Sequence, residues 1–206
     1  MPFPEIKYKD ISTFKNSYFE NLCHAYKSID DNKLTQAAAL LTEIYTKGGF
    51  VYSCGNGGSA AIANHLVCDH SKLVRTDTHL SSRIVSLSST VEIITAIGND
   101  ISYDDIFVYQ LSCLAKQGDA LITVSSSGNS ENIVKAAQWA KDNKIPVIAL
   151  TGFEGGRSSQ IADINIHVSS NNYGIVEDTH QSIMHILAQY IRMAHMQEEL
   201  IKSRKF

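Results

Sequence analysis

Apolar residues recur at helical spacing over the first 48 positions. Phe14, Tyr18, Leu22, Tyr26 and Ile29 fall at i, i+4, i+8, i+12 and i+15. Leu34, Ala38, Leu41 and Ile44 carry the pattern onto a second segment, which Gly48-Gly49 ends. Beyond residue 49 the apolar positions become contiguous. Five short strands are predicted, at Phe50–Cys54, Arg83–Leu87, Ala120–Val124, Pro146–Leu150 and Ile164–Val168. Helical stretches separate or follow them: residues 59–72, the region near 90–97, a segment carrying Ile133, Ala136, Ala137 and Ala140, and a long run from about Val176. Strands that alternate with helices build βαβ units, and near-continuous apolar strands are covered on both faces. The pattern therefore predicts an α/β fold of three αβα layers: a doubly wound, five-stranded parallel sheet with N-terminal helices and a long C-terminal helix. Such sheets bind ligands at the carboxyl ends of their strands, near a switch in strand order. The two loops richest in Gly and Ser follow the first and third strands.

Length and composition keep this within one domain. The 206 residues are 44% apolar and 19% charged, enough for a full core and too little charged for a disordered chain. We expect a single domain over 1–206, with 1–48 as a helical extension and 49–206 as the α/β core and C-terminal helix. The net charge of −3 offers no basic stripe for nucleic acid. No apolar run reaches the roughly 18–20 residues of a membrane span. Met1-Pro2-Phe3-Pro4-Glu5 lacks the charged and apolar regions of a secretion signal. Cys23, Cys54, Cys68 and Cys113 are far apart without a CxxC pair, so they read as reduced thiols of a cytoplasmic protein.

The candidate chemistry begins with Ser125-Ser126-Ser127-Gly128-Asn129-Ser130, which precedes a helix. Free N–H groups at a helix start, together with hydroxyls, suit one phosphate monoester, although Ser130 also fits an ordinary N-cap. Gly55-Asn56-Gly57-Gly58-Ser59 repeats the logic after the first strand. Neither loop is a triphosphate-binding G-x-x-x-x-G-K-[ST], and position 60 is Ala where a dinucleotide fingerprint needs Gly. No nucleotide cofactor is expected. His65 and Asp69 share a helix face at i, i+4, and Glu177, His180, Gln181 and His185 lie on the last helix. Such groups suit proton transfer and equally suit a divalent cation. His24, His79, His167 and His195 read as structural or surface residues. Asn99-Asp100 reads as a helix end, and Tyr103–Phe107 as a helix start.

Together these residues resemble the sugar isomerase (SIS) domain family, most closely its heptose-phosphate branch. The carriers are Gly55–Ser59, Gly98-Asn99-Asp100 with Asp105-Ile106-Phe107, Ser125–Ser130, Leu150-Thr151-Gly152 with Gly155-Gly156, and His185-Ile186-Leu187. They extend over roughly residues 12–195. The resemblance implies a flavodoxin-like sheet and homotetramers whose active sites are shared between subunits. It implies that Ser59 and the loop of Ser125, Ser126, Ser127 and Ser130 hold the phosphate of a sugar, with Gly57 and Gly58 also in the substrate site. Asn56 and Asp100 would contact the sugar hydroxyls, and Asn99 and Glu177 would complete the substrate site. His185 matches a catalytic histidine, and His65 a histidine that binds zinc in some members.

Two departures stand out. Asp69 occupies the position of a catalytic glutamate, and Glu177 that of a glutamine. Asn171–Ile175 is also one residue shorter than the family pattern. The implied activity is aldose–ketose isomerisation through an enediol, most simply sedoheptulose 7-phosphate to D-glycero-D-manno-heptose 7-phosphate, a precursor of bacterial surface polysaccharide. Asp69 is then the base and His185 its acid/base partner. Zn²⁺ on His65, Asp69, Glu177 and His185 would polarise the carbonyl, and full ligation of Asp69 would compete with its role as base. A phosphosugar-sensing or protein-binding module, or an isomerase of another ketose phosphate, is the alternative.

Overall fold

The computed structural model describes residues 3–206; Met1 and Pro2, at the start of the segment without a leader pattern, lie outside the described residues. Two helices open the chain, α1 (Ile11–Lys27) and α2 (Asp31–Thr46), each started by an aspartate, Asp10 or Asp30, whose carboxylate accepts a first-turn N–H. The strands are β1 (Phe50–Gly55), β2 (Arg83–Ser86), β3 (Ala120–Ser125), β4 (Val147–Thr151) and β5 (Ile164–His167). All pair in parallel, in the order β2-β1-β3-β4-β5. The strand order reverses between β1 and β3, so their carboxyl ends open the crevice where such sheets take ligands.

The predicted architecture is thus observed. Alternate side chains explain its two cores. Val51, Ile122, Val124, Ile148 and Leu150 pack with Leu41 and Tyr45 of α2 and with Ile183 and Leu187 of α8 (Tyr173–His195). Tyr52, Cys54, Leu121 and Val147 pack on the other face, against α4 (Val91–Asp100), α5 (Ile106–Leu114) and α6 (Glu131–Asp142). The short helices α7 (Gly156–Ile161) and α9 (Glu198–Ile201) complete the chain. Among the described residues, no helix is long and apolar enough to cross a membrane.

One element departs from the expected helix over 59–72. The α-helix α3 (Gly58–Cys68) passes into a π-helical turn, Asp69–Val74. Its widened turn is bolted from behind. His70 is buried and its Nδ1 meets the Tyr45 hydroxyl at 2.6 Å, while the Ser82 hydroxyl donates to the His70 carbonyl. Single π turns of this kind are frequent at functional sites, and this one begins at Asp69.

Candidate active site

A cavity of about 140 Å³ opens at the carboxyl ends of β1 and β3. Asn56 and Ser59 line it from the β1 side, Ser125, Ser126, Ser127 and Ser130 from the β3 side, and Tyr173 and Glu177 from α8. Ser125 Oγ accepts the Gly128 N–H at 3.1 Å, and Ser127 Oγ accepts the Asn129 N–H at 3.3 Å, which leaves both hydroxyl protons to donate. Ser126 Oγ is buried with no partner. Neither Gly57, before α3, nor Ser130, before α6, caps its helix with a side chain, so first-turn N–H groups remain unclaimed by side chains. Gly57 has φ +56, a left-handed conformation that favours glycine. The wall is therefore built of uncharged donors, the setting an anion requires. Glu177 is the exception. Burial, then the charge of Asp178, raises its pKa above the usual carboxylate value.

Further along, His65, Asp69 and His185 converge. Asp69 Oδ1 lies 3.4 Å from His65 Nε2, and Asp69 Oδ2 lies 3.4 Å from His185 Nε2. The two Nε2 atoms face each other at 3.1 Å, and Gln181 Nε2 lies 3.0 Å from that of His185. Asp69 Oδ2 is buried without a hydrogen-bond partner. One ligand atom from each of the three residues falls within 4.8 Å of the others. Two imidazoles and a carboxylate are the donor set of catalytic zinc sites, which use three protein ligands and keep a position open. The carboxylate and the facing nitrogens fit a cation.

The structure does not bring Glu177 into this cluster. It precedes His185 by eight residues, about 12 Å of helix rise, and its carboxylate lies against Gly58, where a Cβ would overlap it. That contact shows how α3 and α8 are aligned. Gly58 meets Glu177 at one end, and His65 and Asp69 meet His185 at the other. The two helices run parallel, and the cavity and the cluster are the ends of one seam, on the order of 10 Å apart.

Asn99 and Asp100 are exposed at the end of α4, bonded to one another at 2.7 Å, and do not line the cavity. His180, grouped by spacing with Glu177, is instead buried, and neither ring nitrogen has a partner; burial pushes its pKa down to about 4. Three residues that touch the site carried no functional expectation. Tyr173 lines the cavity, and Asn132 and Tyr103 hydrogen-bond to Asn56. Only Asn132 had a signal, its place at the end of the serine loop.

Comparison with known proteins follows the same lines. A family model for the SIS domain matches residues 16–152. The phosphoheptose isomerase of Colwellia psychrerythraea is 34% identical over 186 residues, covering 88% of this chain and 94% of that protein. Among solved structures, a phosphoheptose isomerase from Francisella tularensis superposes with a TM-score of 0.79 at 32% identity, over 89% of this chain and 96% of its own. The phosphoheptose isomerase of Neisseria gonorrhoeae gives 0.80 at 29% identity, over 88% and 96%.

Proposed function

The chain belongs to the SIS domain family, and on that premise we propose that it is an aldose–ketose isomerase converting sedoheptulose 7-phosphate to D-glycero-D-manno-heptose 7-phosphate through an enediol. One observation carries this reading: a cavity of uncharged donors and an imidazole–carboxylate cluster occupy the two ends of one helix–helix seam. Ser59, Ser125, Ser126, Ser127 and Ser130 hold the phosphate with hydroxyl and backbone donors. The sugar extends along the seam, and its carbonyl end reaches His65, Asp69 and His185.

Isomerisation needs a proton removed beside the carbonyl and one returned to the neighbouring carbon. Asp69 is the base, its buried Oδ2 lacking any other partner, and His185 is the acid/base partner beside it. A placed acid or base contributes roughly 10²–10⁴-fold. Zn²⁺, held by His65, Asp69 and His185, would supply Lewis-acid polarisation of the carbonyl oxygen. A carboxylate has two oxygens, so Asp69 can hold a cation with one and accept a proton with the other.

The working unit is one domain, since α2 shares its core with the sheet. It acts in the cytoplasm, in keeping with four unpaired cysteines. It assembles as a homotetramer with shared sites. The exposed apolar side chains of Ile186, Tyr190 and Met193 on α8 support a partner subunit there.

Assay of a panel of ketose phosphates, with and without a chelator, tests the proposal. Turnover of sedoheptulose 7-phosphate that is lost on chelation and restored by Zn²⁺ is the expected result. No turnover on any sugar phosphate would replace it with a sensing role.

A further inference from the structure

Asn56 sits on the cavity wall between β1 and α3. A primary amide has two acceptor lone pairs and two N–H donors, and its terminal torsion is broad and roughly two-fold. Without neighbours, nothing decides whether such a group offers a ligand its oxygen or its nitrogen. Here three of the four valences are taken. Asn56 Oδ1 accepts from Asn132 Nδ2 at 3.1 Å and from the Tyr103 hydroxyl at 3.1 Å. Asn56 Nδ2 donates to Asn132 Oδ1 at 2.9 Å. One N–H is left.

The two neighbours are themselves fixed, from one helix. Asn132 is 1% exposed in the first turn of α6. Lys135, one turn on, donates to Asp105 at 2.9 Å and ties the 3₁₀ turn Tyr103–Asp105 to the same helix. Ser102 Oγ accepts the Asp104 N–H at 3.1 Å and closes the start of that turn. Tyr103 remains 58% exposed, so its ring buries little. Its hydroxyl reaches the site through Asn56.

Resting on the isomerase reading above, we propose that Tyr103, working with Asn132, is a positioning residue that sets Asn56 as a hydrogen-bond donor toward an oxygen of the bound sugar phosphate. With both lone pairs of Oδ1 claimed, turning the amide oxygen to the cavity would break both bonds to Asn132 and reverse the Tyr103 hydroxyl from donor to acceptor. The substrate then meets a donor at Asn56, as it does at the serine hydroxyls and helix starts, and an acceptor at that point of the wall is excluded.

The test is a double-mutant cycle of Tyr103→Phe and Asn56→Ala, read by steady-state kinetics and by calorimetric titration with sedoheptulose 7-phosphate. Tyr103→Phe removes one exposed hydroxyl, so the melting temperature stays at the wild-type value. It raises KM and Kd roughly fivefold, the worth of one hydrogen bond, with kcat nearly unchanged. In the Asn56→Ala background the same substitution has no further effect, because the group it positions is gone. Unchanged KM and Kd in Tyr103→Phe, or additive effects in the double variant, would overturn the proposal. A wild-type protein that binds the ester without turning it over would sink the isomerase reading instead, and the cycle would still be read from Kd.

Discussion

A polar atom sealed from water with nothing to bond lowers stability, and at a binding site a ligand can complete it. Two such atoms mark the ends of the seam: Ser126 Oγ in the cavity and Asp69 Oδ2 in the cluster. On the proposed reading they separate binding from chemistry. Ser126→Ala is expected to weaken sugar-phosphate binding roughly fivefold while holding or raising the melting temperature, because an orphaned hydroxyl is removed. Asp69→Asn is expected to cut kcat by roughly 10²–10⁴-fold with the Kd for inorganic phosphate unchanged. Turnover kinetics beside phosphate calorimetry would reveal the reverse pattern. His180 predicts a pH effect on stability. Its pKa falls from the ordinary 6.5 to about 4 on folding, so between those values the unfolded chain binds the extra proton. Stability therefore declines as pH is lowered through that window. Urea midpoints at several pH values, compared with His180→Leu, should show a flatter acid limb in the variant. At this scale the sequence was readable where a site is local: serines in one loop, or His65 and Asp69 one turn apart. The bonds that hold Asn56 span 76 and 47 residues, and no spacing rule announces them.

At the scale of elements, the extra residue of a π turn leaves no mark in the apolar pattern, so 59–72 reads as one unbroken helix. Packing decides it, through Tyr45, His70 and Ser82. The segment after that turn is pinned to the helix that carries His185. Asp77, at φ +65, accepts from Arg192 at 3.1 Å and from Arg204 at 2.8 Å, and Arg192 is 2% exposed. Removing the partner of a buried charge is far costlier than breaking an exposed pair. Asp77→Asn, which tolerates the same backbone, is expected to lower the melting temperature by several degrees. Glu43→Gln, which breaks the exposed pair with Lys47, should leave it unchanged. Equal thermal shifts in the two variants would contradict this. The charges were plain in the sequence, but their pairing across more than 100 residues was not.

For the whole molecule, contiguous strands alternating with helices were enough to predict a parallel sheet, and the glycine- and serine-rich loops fall at the edge where the cavity opens. The alignment of α3 with α8 was not predictable, since it depends on Gly58 admitting the Glu177 carboxylate. That alignment makes the protein a ruler. On the proposed reading one end is anchored on phosphorus and the other on the proton that moves, so the enzyme would measure its substrate by counting carbons. Each carbon adds a little over 1 Å to an extended chain, and a pentose 5-phosphate falls about 2–3 Å short of a heptose 7-phosphate. Misplacement by 1 Å can cost 10²-fold, so kcat/KM is expected to drop at least roughly that much from seven carbons to five. Similar values across the series would mean that the span between the two ends does not gauge length.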